Sequence, residues 1–359
     1  MYNNEPYSGS TAPGEINPQR YNPQEYTYVH GLGFTPLPAV ARERHALRRS
    51  ANSIGIAFIG YLILATLLPS LMAALVTVYL PQFRYFNSSG FLPDIIYQGI
   101  TFFTTILAMG IPFAIYAASI HIPVKRAIPL KMPELSIIFP AVFICLGAST
   151  VASVSSSMIQ NILSNLGLYA AGNVDALPVE RTTSVLYLIN SVLLPAFLEE
   201  FIFRGIILHS LRRFGDGFAI LISSILFAAA HGNVIVFPVA LVVGLCISYF
   251  VVRTSSLWTG IIVHFCYNGM SIFLNELYSA VPYEFMLLVD SLVTALYLIL
   301  GLISLIYLVR TRRDMFSLKP AQTLLNGPAK LKTFFFSGGI IAVFVIYGLM
   351  ALLNISSLY

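Results

Sequence analysis

Residues 186–208 read LYLINSVLLPAFLEEFIFRGIIL, an apolar run interrupted by two carboxylates and a guanidinium, Glu199, Glu200 and Arg204. About 20 apolar residues suffice to carry a helix across the ~30 Å hydrocarbon layer of a membrane. A charge near the middle of such a helix costs roughly 2.5–3.5 kcal/mol on insertion scales. Three charges this close together therefore need partners or a function. On one helix Glu200 and Arg204 share a face, while Glu199 is turned about 100° away. The chain can neutralise one carboxylate locally and aim the other elsewhere, an arrangement that suggests an active site.

The rest of the chain agrees with a membrane setting. Hydrophobic residues make up 57% and charged residues only 10% of its 359 positions, against about 25% charged in a soluble domain. Mean hydropathy is +0.80. Nine apolar segments of spanning or near-spanning length occur, at approximately 53–80, 94–119, 136–160, 184–209, 218–235, 237–252, 257–278, 285–309 and 333–354. The expected fold is an all-α, polytopic transmembrane bundle of about 8–9 helices with a cytoplasmic N-terminus. That orientation places 17 of the 20 Lys and Arg on the cytoplasmic side and leaves out Arg84, Arg181 and the intramembrane Arg204. The net charge of +5 is thus a topology signal, and nucleic-acid binding is an unnecessary reading of it.

Four parts are expected. Residues 1–50 form a disordered tail, rich in Tyr, Pro, Asn, Gln and Gly, that ends on the basic cluster Arg42, Arg44, Arg48 and Arg49. Residues 51–309 form the membrane domain, with its polar motifs concentrated in 184–270. A basic cytoplasmic loop, 310–332, precedes an additional helix in 333–359 that places the C-terminus outside. Cys145, Cys246 and Cys266 all lie in apolar helices, no pair has metal-site spacing, and they read as small core residues. Gly147-Ala148-Ser149-Thr150 lacks the closing glycine of a rhomboid-type nucleophile motif and reads as helix packing. His-Glu-x-x-His and Gly-x-Gly-Asp patterns are absent.

Polar residues gather in the second half. Phe227 and His231 are four apart on the fifth segment, and His264 and Asn268 are four apart on the seventh, so each pair shares a helix face. Counted from their cytoplasmic ends, Glu199, His231 and His264 lie roughly 20, 21 and 12 Å deep. Three helices thus bring ionisable groups to comparable depth, where they can converge on one polar cavity. Glu199, with no intrahelical cation at the right spacing, is the better candidate for a general base. His231 could hold and orient a water against it. His264 and Asn268 would be donors to a developing oxyanion, or His264 a metal ligand. Water activated by Glu and His means hydrolysis, with a peptide bond as the natural target.

Glu199-Glu200-x-x-x-Arg204, Phe227-x-x-x-His231 and His264-x-x-x-Asn268, in this order, resemble the three-motif signature of the CPBP intramembrane protease family. That family includes the Rce1-like CAAX prenyl endopeptidases and their bacterial relatives. The stretch Gly244…Arg253-Thr-Ser-Ser-Leu257-Trp258…His264 is also similar to the family's lead into its last motif. The resemblance implies that Glu199 and His231 activate water, His264 and Asn268 stabilise the oxyanion, and Glu200 and Arg204 give support. It implies a membrane-protein or lipidated-peptide substrate. Members are described both as metalloproteases and as glutamate-dependent enzymes. No cofactor is required by the sequence, and a zinc ion held by Glu199, His231 and His264 is chemically reasonable. The family has about eight helices, so the segment 333–354 departs from it.

Two readings compete with an intramembrane endopeptidase of the bacterial cytoplasmic membrane. One is a non-catalytic scaffold or immunity-type regulator of the same fold, which has no need of an unpaired buried carboxylate. The other is a proton-coupled transporter, for which the sequence offers none of the usual inverted repeats.

Overall fold

The computed structural model describes residues 26–80, 93–121, 129–170, 177–318 and 322–357. Residues 1–25 of the tail, and the cations Arg84, Lys125, Arg126 and Lys319, lie outside the described residues. A short antiparallel hairpin opens the described chain, β1 (Tyr26–Val29) paired with β2 (Gly33–Pro36). Gly31 and Gly33 supply its positive φ angles, +86° and +74°, which glycine adopts at no steric cost. Helix α1 (Ala39–Tyr79) then begins well ahead of the expected boundary at 51 and carries the basic cluster in its first turns. Its 41 residues rise about 60 Å, roughly twice the hydrocarbon thickness.

The helices that follow are α2 (Asp94–Ser119), α3 (Leu135–Asn165), α4 (Arg181–Phe214), α5 (Asp216–Ala230), α6 (Phe237–Thr254), α7 (Leu257–Ala280) and α8 (Tyr283–Thr311). A bent pair, α9 (Gly327–Phe335) and α10 (Gly338–Leu353), closes the chain. Among the described residues seven helices are long and apolar enough to cross a membrane, or up to eight when the bent pair is one span. All nine apolar segments are therefore helical, but two of them differ from expectation.

Segment 218–235 is one. Its helix, α5, has 15 residues and a rise of about 22 Å, too short to cross. It stops because Gly232 turns left-handed at φ +58°, a common helix ending. Asn233 Oδ1 then accepts from the amides of Ile235 and Val236 at 2.8 and 3.2 Å and starts the next helix. Most of α5 is buried among its neighbours, including Ile222, Ser223, Ser224, Leu226 and Phe227. Its end is thus covered by protein, the condition under which a turn is tolerated at membrane depth.

Segment 333–354 is the other. The chain bends by 68° between α9 and α10, so helix begins inside the expected 310–332 loop. The bend falls where Ser337-Gly338-Gly339 meets α1. A Cβ on Gly339 would lie 2.8 Å from the Asn52 carbonyl, and one on Gly55 would lie 2.4 Å from Gly339 C. Only glycines let the backbones approach this closely, and Asn52 Oδ1 accepts from the Gly339 amide at 3.0 Å.

Gly147 has the packing role expected of it, since its Cβ would sit 2.8 Å from the Tyr297 carbonyl of α8. Ser149 and Thr150 both donate to the Leu146 carbonyl. The three cysteines are unbridged. A short pairing of β3 (Leu168–Ala170) with β4 (Ile355–Ser357) ties the end of the chain to the loop after α3.

Helix α4 starts on a side-chain cap. Glu180 accepts from Thr183 Oγ1 at 2.7 Å and from the amides of Thr182 and Thr183 at 2.9 and 2.6 Å. The Thr183 hydroxyl first, and then the two amides, hold its carboxyl down at about 2 from an ordinary 4.5. A depressed folded-state value contributes stability above the ordinary value and loses it as pH falls toward the folded one. We expect Glu180→Gln to melt below wild type above pH 5, and the two midpoints to converge as pH approaches 2. A constant offset across that window would contradict the cap.

Candidate functional site

Helix α4 is wound irregularly where it carries its charges. Residues Ile189–Leu193 and Glu200–Leu208 adopt π-helical turns, a form found frequently at functional sites. Pro195 accounts for the first of them, because it has no N–H for the carbonyl one turn earlier. The second spans Glu200 to Arg204. Its wider turn brings these two side chains closer to one line along the helix than an α-turn does.

Arg204 Nη1 donates to Glu200 Oε1 at 2.7 Å, and both side chains are fully buried. The remaining donors of Arg204 reach α6. Nε lies 3.3 Å from Ser248 Oγ, and Nη2 lies 3.3 Å from the Gly244 carbonyl. The Phe227 ring of α5 faces the guanidinium, 4.5 Å from its carbon. His264 of α7, itself buried, donates through Nδ1 to the same Glu200 Oε1 at 2.8 Å. One carboxylate oxygen thus joins three charge-bearing residues from two helices. Bonds of this charge-assisted kind are about twice as strong as neutral ones.

The other oxygen, Glu200 Oε2, has no hydrogen-bond partner among the described residues. It rests against Gly260, one turn before His264, where a Cβ would come within 2.6 Å of it and 2.8 Å of Val251 Cγ2. Gly260→Ala therefore has to displace either the carboxylate or Val251 in a closed interior. Overpacking of this kind costs about 1–3 kcal/mol. We expect a lower thermal midpoint in Gly260→Ala and a loss of activity larger than the destabilisation alone accounts for. An unchanged midpoint would show that the close approach is not needed.

His231 caps the C-terminal end of α5, rather than lying within a spanning helix. Its Nδ1 is 2.9 Å from the Phe227 carbonyl. A carbonyl only accepts, so Nδ1 carries a proton and donates to it, and Nε2 is the ring nitrogen left for other partners. The Phe227 ring packs edge-on against His231 at 5.0 Å and against His264 at 5.7 Å. One phenyl ring is therefore flanked by both histidines and also faces Arg204.

Glu199 is half-buried and makes no side-chain hydrogen bond among the described residues. It interacts electrostatically with Tyr61 of α1 and with Arg204. Asn268, one turn beyond His264, is half-buried and likewise unbonded among the described residues. The structure thus joins Glu200, Arg204 and His264 directly and brings His231 beside them through Phe227. It does not bond Glu199 to His231. The zinc set Glu199, His231 and His264 is not gathered either. Among the described residues no three His, Cys, Asp or Glu side chains could hold a metal ion.

Ser248 and Gly260 complete the surroundings and carry no mark in charge or hydropathy. Gly260 carried a signal, since a residue without a side chain one turn before His264 leaves that helix face open to an approaching group. Trp258, in the same stretch, packs edge-on against Phe197 of α4 at 5.9 Å. Glu276 and Asp290, near the helix ends, have structural partners in the Leu177 amide and the Tyr278 hydroxyl.

Residues 181–270 match the family model for type II CAAX prenyl endopeptidase Rce1-like proteins. The matched segment contains Glu199, Glu200, Arg204, His231, His264 and Asn268. Comparison with curated proteins and with solved structures returns no match.

Proposed function

The Rce1-like match over residues 181–270 supports membership of the CPBP family and a protease-type function, and from that premise we propose that this chain is an intramembrane endopeptidase. The observation that carries the reading is the division of labour between adjacent carboxylates. Glu200 is fully engaged by Arg204 and His264, while Glu199 is half-buried with no hydrogen bond among the described residues. A structural clasp needs the first and has no use for the second.

In the proposed reaction His231 Nε2 holds a water, and Glu199 takes a proton from it as it attacks the scissile carbonyl carbon. The carbonyl oxygen gains the negative charge. Asn268 Nδ2–H donates to it, with the His264 ring, oriented by Glu200, as the second donor. On collapse the C–N bond breaks, and the amine leaves with the proton that Glu199 had accepted. Glu200 and Arg204 fix the His264 ring, as the partners of catalytic histidines do elsewhere. No step is routed through a metal, since among the described residues no three His, Cys, Asp or Glu side chains are gathered to hold one.

The substrate class is a membrane protein or lipidated peptide, reached from the cytoplasmic side of a bacterial cytoplasmic membrane with the chain's N-terminus inside. The excess of Lys and Arg in the expected cytoplasmic segments supports that orientation. Complementation separates this reading from a scaffold of the same fold. A strain lacking the chain should be rescued by wild type and not by Glu199→Gln at equal abundance. Full rescue by the variant would mean that the protein acts by binding alone.

A further inference from the structure

At the end of α5 remote from His231, a cavity of about 330 Å³ opens between α5 and α9. Its walls include Gly215, Gly217 and Gly327, together with the apolar side chains of Phe218, Leu221 and Leu331. Phe218 packs edge-on against Phe334 of α9 at 6.1 Å and so joins the two helices. A Cβ on Gly327 would meet nothing within 4 Å, and one on Gly217 only Leu318 Cδ1 at 3.8 Å, so backbone borders open space here. Helix α5 starts beside the cavity without a side-chain cap. The Ala219 amide is the first to bond back, to the Gly215 carbonyl at 2.9 Å. The amides of Asp216, Gly217 and Phe218 therefore have no partner within the helix.

Lys330 of α9 lines the same cavity and is only 6% exposed. Lysines are almost never buried to this degree unless their charge is paired. Here Nζ donates to the Phe214 carbonyl at 2.7 Å, but that acceptor is neutral and takes one of the ammonium's three N–H groups. Among the described residues no carboxylate lies within ion-pair distance of Nζ. The acid in the wall, Asp216, is held by Arg212 through bonds of 2.8 and 3.2 Å. The wall thus carries an unpaired positive charge, beside a helix start that also favours anions. For packing alone methionine would serve better at 330, because it fills similar space without the cost of desolvating an ammonium.

We propose that this cavity binds the phosphate of an anionic membrane phospholipid, at a site separate from the catalytic residues and independent of proteolysis. The phosphate accepts from the two N–H groups left on Lys330 Nζ and from the first-turn amides of α5, and Phe218, Leu221 and Leu331 receive the start of the acyl chains. In the proposed orientation this end of α5 lies at the cytoplasmic surface, the level of lipid headgroups. A zwitterionic headgroup would bring a second cation toward Arg212 and Lys330, so a net-anionic lipid is preferred. Once bound, the lipid bridges α5 and α9 and ties the additional helix pair to the bundle.

The test follows the thermal midpoint of the purified full-length chain in detergent as phosphatidylglycerol, phosphatidylcholine or inorganic phosphate is titrated in. Wild type is compared with Lys330→Met, with Lys330→Gln, which keeps a donor for the Phe214 carbonyl, and with Lys332→Met, an exposed position on the same helix. Wild type and Lys332→Met should be stabilised by phosphatidylglycerol at the same half-saturating concentration, and phosphatidylcholine should do less. The Lys330 variants should need about tenfold more phosphatidylglycerol, the scale for losing one charged hydrogen-bond donor. A response of Lys330→Gln equal to that of wild type would assign the effect to the basic surface at large and overturn the site. Equal responses of wild type to the two lipids would overturn it too. An equal gain from inorganic phosphate would make this a site for the free anion and overturn the lipid assignment. Lys330 variants that fail to fold even with phosphatidylglycerol present would make the lysine a structural clasp and likewise overturn the site.

Discussion

Glu199→Gln should lower the rate of cleavage by about 10²–10⁴-fold, the contribution typical of a general base, while the protein melts at an unchanged temperature. The two halves of this expectation follow from one observation. Glu199 has no side-chain hydrogen bond to lose among the described residues, so an amide of the same shape leaves the fold alone and removes the base. Glu200→Gln should behave differently. Its carboxylate is shared by Arg204 and His264, so the amide weakens two charged contacts and lowers stability and activity together. Melting curves and cleavage rates on the two purified variants check both statements. Equal loss of stability in both would mean that the adjacent carboxylates do the same job.

Arg204→Met should destabilise the chain by about 3–5 kcal/mol, the cost of leaving one member of a buried ion pair without its partner. The pair sits at 2.7 Å with both side chains fully buried, so the remaining carboxylate has little access to water. Replacing both residues, as in Glu200→Met with Arg204→Met, should recover much of the lost stability, since well-packed apolar residues often replace a buried pair at little cost. Activity should stay absent in the double variant, because His264 loses the oxygen that fixes its ring. A double-mutant cycle on thermal or denaturant unfolding measures the coupling. Additive losses would show that the pair is not energetically linked, and an active double variant would show that the clasp is dispensable for chemistry.

Much of this arrangement is legible in the amino-acid sequence, because membrane segments advertise themselves by hydropathy and intramembrane charges are costly enough to be meaningful. The pairing of Glu200 with Arg204 follows from their spacing alone. Helix ends are harder. The apolar composition of 218–235 continues through Gly232 and Asn233, so hydropathy hides the stop, although Gly-Asn followed by Pro238 is a helix end and a new start in local chemistry. Ser337-Gly338-Gly339 carries a similar signal for the bend between α9 and α10. The π-turns of α4 have no such mark beyond Pro195, since they change the facing of side chains without changing composition. The contact of His264 with Glu200 has no signal in charge spacing or hydropathy. It depends on how closely α4 and α7 approach, which Gly260 permits and no periodicity records.

The separation of roles between Glu199 and Glu200 makes proteolysis a direct prediction, and a quantitative comparison of protein termini in host membranes tests it. Wild type and Glu199→Gln are expressed at equal abundance in a strain lacking the chain. The account predicts N- and C-termini that are present with wild type and missing with the variant, which would also name the substrates. Identical termini in the two strains, together with full rescue of the deletion phenotype by Glu199→Gln, would contradict it.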